Sequence, residues 1–127
     1  MQISQKRYGD VRVLALAGRI DNGSSEVFKT GLGAHVAESR AAGDCLVLDF
    51  SGVDYISSVG LRALMLAARQ SREQGGTIMV AALQPIVREI FEISRFNLVF
   101  ECFGSVRQAL EKVSPAGLAV YDAGQAR

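Results

Sequence analysis

Apolar and polar positions change period several times along this chain, and the changes mark its elements. Residues 3–8 and 11–17 flank Gly9-Asp10 with β-branched and aliphatic side chains, which predicts an opening hairpin that stops at Gly18. Asp21-Asn22-Gly23-Ser24-Ser25-Glu26 is rich in side chains that cap free amides. Phe28, Leu32 and Val36 follow at spacings of four, predicting a first helix that runs to Ala42 and ends at Gly43. Cys45-Leu46-Val47-Leu48-Asp49-Phe50 is nearly continuous apolar sequence, the pattern of a strand covered on both faces, and is expected to be the central strand. Residues 59–74 predict a second, largely buried helix closed by Gly75-Gly76. Residues 77–82 read as a strand, Pro85 opens a third helix with Val87, Ile90 and Phe91 on one side, and 98–100 read as a last short strand. Val106, Ala109, Leu110 and Val113 keep the spacing of a fourth, amphipathic helix.

After the hairpin, helices and strands alternate, which favours parallel pairing with helices packed on the sheet. The expected fold class is therefore α/β, a single domain with a mixed, mostly parallel sheet of about five strands and about four helices. Beyond Ser114-Pro115 the composition turns to Gly, Ala, Asp and Gln without periodicity, so 1–114 is expected to be the domain and 115–127 a flexible tail. A chain of 127 residues, 49% of them hydrophobic, has enough apolar surface for one core without disulfide or metal staples.

Charge and composition narrow the function. Fourteen Lys and Arg against thirteen Asp and Glu leave a net charge of +1, with no general attraction to nucleic acid or to an anionic membrane. The start, Met-Gln-Ile-Ser-Gln-Lys-Arg-Tyr, has no apolar signal core, and no run approaches the ~18 apolar residues of a membrane span, so a cytoplasmic protein is expected. Cys45 and Cys102 are too few and too distant for a metal knuckle, and His35 falls beside the Phe28, Leu32, Val36 stripe. No metal and no cofactor are expected.

The informative stretch is 46–61, where the central strand leads through a short polar loop into the second helix at Ser57-Ser58. A helix N-terminus offers unpaired amides and about half a positive charge, so either serine can cap it and an anion placed there is favoured. At about 100° per residue, Ser58, Arg62, Met65, Arg69 and Arg72 share one side of that helix and Ala63, Leu64 and Ala67 the other. The first set suits docking onto a partner with acidic groups and an apolar pocket; the alternative is a solvated helix face and a plain N-cap pair.

The sequence resembles the STAS domains, and within them the bacterial anti-sigma factor antagonists. Leu48-Asp49-Phe50-Ser51 followed by Tyr55-Ile56-Ser57-Ser58-Val59-Gly60-Leu61 carries most of the resemblance. Leu16-Ala17-Gly18-Arg19-Ile20-Asp21, Gln74-Gly75-Gly76 and Pro85-Ile86-Val87 support it, so that it spans roughly residues 3 to 113. The resemblance implies a non-enzymatic partner switch. The unmodified antagonist binds an anti-sigma factor that is also a serine kinase, phosphorylation ends the complex, and a serine phosphatase restores it. The phospho-acceptor of the family falls on Ser58, and its supporting acidic residue on Asp21. Arg62, Met65 and Arg69 become the partner-binding face. Family members often carry Asp-Ser-Ser-Gly-Leu where this chain has Ser57-Ser58-Val59-Gly60-Leu61, which makes Ser57 an alternative acceptor. A STAS scaffold or accessory subunit of a signalling or transport complex, without phosphorylation, is the rival expectation. An enzyme is disfavoured, because Ser58 lacks a Gly-x-Ser-x-Gly setting and the single histidine lies in the first helix. The Gly52 to Gly60 stretch also lacks the Gly-Lys-Ser/Thr ending of a phosphate-binding loop.

Overall fold

The computed structural model describes residues 1–42 and 45–125. The hairpin forms as β1 (Gln2–Tyr8) and β2 (Val11–Ile20), paired antiparallel from Gln2↔Ala17 to Tyr8↔Val11. Then follow α1 (Ser25–Ala42), β3 (Cys45–Ile56), α2 (Ser58–Glu73), β4 (Thr77–Ala81) and α3 (Pro85–Ile93). A 3₁₀ turn (Phe96–Leu98), β5 (Cys102–Phe103), α4 (Val106–Val113) and α5 (Pro115–Gln125) complete the order. The strands lie in the sheet as β1-β2-β3-β4-β5, and every pair after the hairpin is parallel. The fold is thus α/β with a mixed, mostly parallel sheet. The helix stop expected at Gly43 lies outside the described residues.

The period-2 alternation of β2 and β3 sends side chains to two separate cores. Leu14, Leu16, Leu46, Leu48 and Phe50 meet Phe28, Leu32 and Val36 of α1, Leu61 and Leu64 of α2, and Val87 and Phe91 of α3. Each large side chain buried there contributes roughly 1.5–3 kcal/mol. On the opposite face Val11, Val13 and Val47 pack on Ala109 and Leu110 of α4, with Leu118 and Tyr121 of α5 at the margin.

Three expectations need correction. Residues 98–100 are not a strand: the chain enters the 3₁₀ turn through Arg95 at φ 61°, Leu98 and Val99 are exposed, and Phe100 is buried beside Phe91 and Phe96. The last strand is the two residues Cys102–Phe103, registered against Val80 and Ala81. The segment after Ser114 is not an irregular tail but a fifth helix, α5. Ser114 accepts the Gly117 amide at 2.9 Å and its hydroxyl donates to Asp10, while Tyr121 sets its ring edge-on to Tyr8 at 5.2 Å. The contacts to Asp10 and Tyr8 are made across nearly the whole length of the chain, so no local period announces them. Residues 51–56, expected as loop, extend β3, because Gly52 lets that strand pass close to β2. A Cβ there would stand 2.8 Å from the Leu16 carbonyl oxygen.

Candidate functional site

With β3 running to Ile56, a single residue separates strand from helix. The Ser57 amide donates to the Ile20 carbonyl at 2.7 Å, which ties the start of α2 to the end of β2. Ser57 has extended backbone, is buried, and its hydroxyl accepts the Gly60 amide at 3.2 Å. It is the N-cap. Ser58 is the first helical residue and is exposed. The two serines therefore divide the work that either one was expected to do: one closes the helix, and the other leaves its hydroxyl to solvent. The first turn of α2 contains no acidic residue, so its unpaired amides and partial positive charge are not offset by the helix's own side chains.

The parallel register places Arg19 beside Tyr55 and ends with Ile20 beside Ile56, so Asp21 and Ser57 are the first residues beyond the paired ends of β2 and β3. Asp21 and the start of α2 therefore leave the sheet at the same end. Its Oδ1 accepts the Gly23 and Ser24 amides at 3.0 and 3.1 Å, folding the loop that leads into α1. Burial acts to raise its pKa, but hydrogen bonds from Ser24 and Gly23 together with the charge of Arg19 outweigh it, and the carboxyl titrates below its ordinary value. Its Oδ2 lies 3.3 Å from Arg19 Nε, and the Arg19 guanidinium lies 4.1 Å from the centroid of the Tyr55 ring.

Along α2, Arg62 and Arg69 are exposed and Met65 is half-buried, whereas Ala63, Leu64 and Ala67 face the core, as helical arithmetic assigns them. Among the described residues Arg62 and Arg69 make no ion pair. The structure adds what the sequence pattern hid: Val59 and Leu66 are exposed, and with Glu26, Lys29 and Arg62 they line a groove of about 190 Å³ between α1 and α2. Positions 59, 62 and 66 repeat at helical spacing, a signal masked because the first half of the helix is apolar on every side except at Arg62.

The arrangement is an exposed hydroxyl at a helix tip, at the end of the sheet from which Asp21 also leaves, beside a cationic, partly apolar helix face. Comparison with known proteins gives the family: the STAS domain description matches residues 2–109. The chain belongs to the STAS domain family. This STAS chain is 34% identical over 100 residues to a Bordetella bronchiseptica protein named as an anti-sigma factor antagonist, BtrV, covering 79% of this chain and 84% of that one. A solved anti-sigma factor antagonist from Mycobacterium paratuberculosis superposes with a TM-score of 0.77 at 26% identity, covering 88% and 92% of the two chains. The phosphorylated form of the Bacillus cell fate determinant SpoIIAA shares the fold at a TM-score of 0.63 and 16% identity, over 88% and 99% of the chains. The STAS match ends inside α4, so α5 lies beyond it.

Proposed function

We propose that this STAS domain is an anti-sigma factor antagonist that operates as a non-catalytic partner switch, with Ser58 as its phosphorylated residue. The observation that carries this is the division between the two serines. Ser57 holds the helix cap from a buried position, so Ser58 can be modified without disturbing the fold. The names of its relatives and the phosphorylated SpoIIAA structure of the same fold support the assignment. The unmodified protein docks an anti-sigma factor kinase through the exposed face of α2, Arg62, Met65 and Arg69, and the neighbouring groove takes an apolar side chain between Val59 and Leu66. Asp21, one strand away, assists at the acceptor, and a serine phosphatase reverses the step.

Magnitudes favour a block of docking over unfolding. A phosphate at the tip of α2 gains ~0.3–1 kcal/mol from the helix end. Inside an interface shaped for a hydroxyl the same dianion would lose its water, and an unpaired buried charge costs several kcal/mol. A penalty of about 3 kcal/mol already weakens binding roughly a hundredfold.

The test is incubation with ATP and the cognate kinase, or a host lysate as its source, followed by intact mass and peptide mapping. One phosphate on Ser58 is expected, lost in Ser58→Ala, kept in Ser57→Ala and added more slowly in Asp21→Asn. No phosphate across growth conditions, or one on Ser57 only, rejects the assignment. In a pull-down with the anti-sigma factor, Arg62→Glu and Met65→Asp should abolish capture, and normal capture by either would show that another face docks.

A further inference from the structure

On the face of the sheet turned away from α1, α2 and α3, two opposite charges stand apart across an open groove. Strand alternation fixes which residues line it. Tyr8, Val13 and Val47 belong to the second core, under α4 and α5, so Lys6 and Ser4 of β1, Ala15 of β2 and Asp49 of β3, at even spacings from them, rise from the same face. Cover by the helices thins out here: Val13 is buried, whereas Ala15 and Asp49 are half-buried. The groove holds about 210 Å³, floored by Val13 and Ala15 and walled by Val106 of α4 and Tyr121 of α5, whose ring is braced edge-on by Tyr8. Tyr121 lies beyond the residues that match the STAS description.

The register gives the groove its dimensions. Ser4 pairs with Ala15 and Ala15 with Asp49, so a hydroxyl and a carboxylate face each other across two strand spacings, about 10 Å between Cα atoms, with only a methyl group between them. Lys6 pairs with Val13, which puts it about 12 Å from Asp49. Each charge lacks its complement. Asp49 Oδ1 accepts the Ser51 amide at 2.9 Å, but its second oxygen has no partner among the described residues, and neither has the Lys6 ammonium. A carboxylate and an ammonium that do not meet can be joined by a molecule carrying one charge of each sign. The two charged groups of an α-amino acid, with a hydrogen bond of about 2.8 Å at each end, bridge roughly 9 Å, and the flexible lysine stem takes up the remainder. The volume falls below the ~300–1,000 Å³ of pockets for drug-sized ligands, and the apolar floor and tyrosine wall offer nothing to a third charge.

We propose that this groove binds a free α-amino acid with an apolar side chain: its ammonium on Asp49, its carboxylate on Lys6 and the Ser4 hydroxyl, and its side chain against Val13, Val106 and Tyr121. The site lies on the other side of the sheet from the α2 face, so it does not depend on Ser58, and both can be occupied together.

The probes are L-leucine and L-phenylalanine, each titrated to about 20 mM into isotope-labelled protein, well above the ~1 mM Kd of so small a ligand. Each is compared with its amine lacking the carboxylate, isoamylamine or phenethylamine, and its acid lacking the ammonium, 4-methylpentanoate or 3-phenylpropionate. The amide resonances of Ala15 and Asp49 and the methyl resonances of Val13 and Val106 should shift saturably with at least one amino acid, and its two half-ligands should bind about tenfold more weakly or worse. Asp49→Asn keeps an oxygen for the Ser51 amide and should weaken the amino acid about tenfold or more. Lys6→Gln, at an exposed position, should weaken it about two- to fivefold, and Arg69→Gln, on the other face, not at all. If Asp49→Asn fails to fold, the half-ligand comparison on the unsubstituted protein decides by itself. No saturable shift with either amino acid, a half-ligand that binds as tightly as its amino acid, or affinity unchanged in both Asp49→Asn and Lys6→Gln overturns the proposal.

Discussion

Gly60 sits in the first turn of α2, directly beneath the two serines, and its replacement by alanine should separate packing from helix propensity. A Cβ there would lie 2.7 Å from Ile20 Cγ2 and 2.8 Å from Ile56 Cγ1. Both isoleucines are fully buried, so neither can swing away. Gly to Ala in a helix gains roughly 0.5–1 kcal/mol from propensity, whereas forcing a methyl group into a filled core costs typically 1–3 kcal/mol. The net expectation for Gly60→Ala is a loss of about 1 kcal/mol. Gly33, inside α1, is the matched control: the nearest atom to its added Cβ is Gln70 Oε1 at 3.9 Å, ordinary contact, so Gly33→Ala should gain the ~0.5–1 kcal/mol unopposed. The two alanine variants should therefore differ by about 2 kcal/mol, which separates their urea midpoints by about 1 M at an unchanged slope. If Gly60→Ala unfolds at the same urea concentration as Gly33→Ala, or a higher one, the close seat of α2 on Ile20 and Ile56 is wrong.

Other perturbations test other parts of the structure. Ser57→Ala removes the buried cap and should cost about 1 kcal/mol and several degrees of melting temperature, while Ser58→Ala should change stability by less than about 0.5 kcal/mol; equal losses would contradict the division between the serines. Burial and the Arg12 guanidinium hold the His35 pKa below the ordinary imidazole value, against the pull of Glu38. The unfolded chain then binds more protons than the folded one below about pH 6.5, so this contribution is complete above that pH and declines on acidification. Urea midpoints measured from pH 7.5 down to 5.5 should fall, and His35→Gln should flatten that slope; a profile that is level or rises with acid in the wild type would refute the effect. Tyr121→Ala breaks the edge-on contact with Tyr8 that seats α5 and should lower stability by about 1–2 kcal/mol in the same melts, whereas an irregular tail would lose nothing.

What was legible in the sequence was whatever local period encodes. The Phe28, Leu32, Val36 stripe, the apolar run of β3 and the Pro85 start of α3 all stand where the pattern puts them. Ser58 at the tip of α2, and Arg62, Met65 and Arg69 along one side of it, follow from the 3.6-residue repeat. The features missed depend on partners far along the chain. α5 is held by Tyr8 and Asp10, the second half of β3 by a glycine that admits β2, and β5 by a two-residue pairing with β4. The Arg19–Tyr55 stacking likewise exists only once β2 and β3 are in register. The helix cap fell between two adjacent serines of equal propensity, and only the backbone turn at Ser57 decides between them.

The order of strands across the sheet repeats the order of the chain, and this sets a schedule for synthesis. As the polypeptide leaves the ribosome, each new strand joins the edge left by the previous one, and no strand must be inserted between two already paired. Each parallel pairing still spans the helix between its strands, so it closes more slowly than the opening hairpin. The helices reach the two faces at different times. One face of β2 and β3 receives α1, α2 and α3 as those strands form, but Val11, Val13 and Val47 on the other wait for α4 and α5, the last helices made. During that interval the nascent sheet carries an uncovered aliphatic surface, and this is when the chain is most exposed to aggregation and most in need of a chaperone.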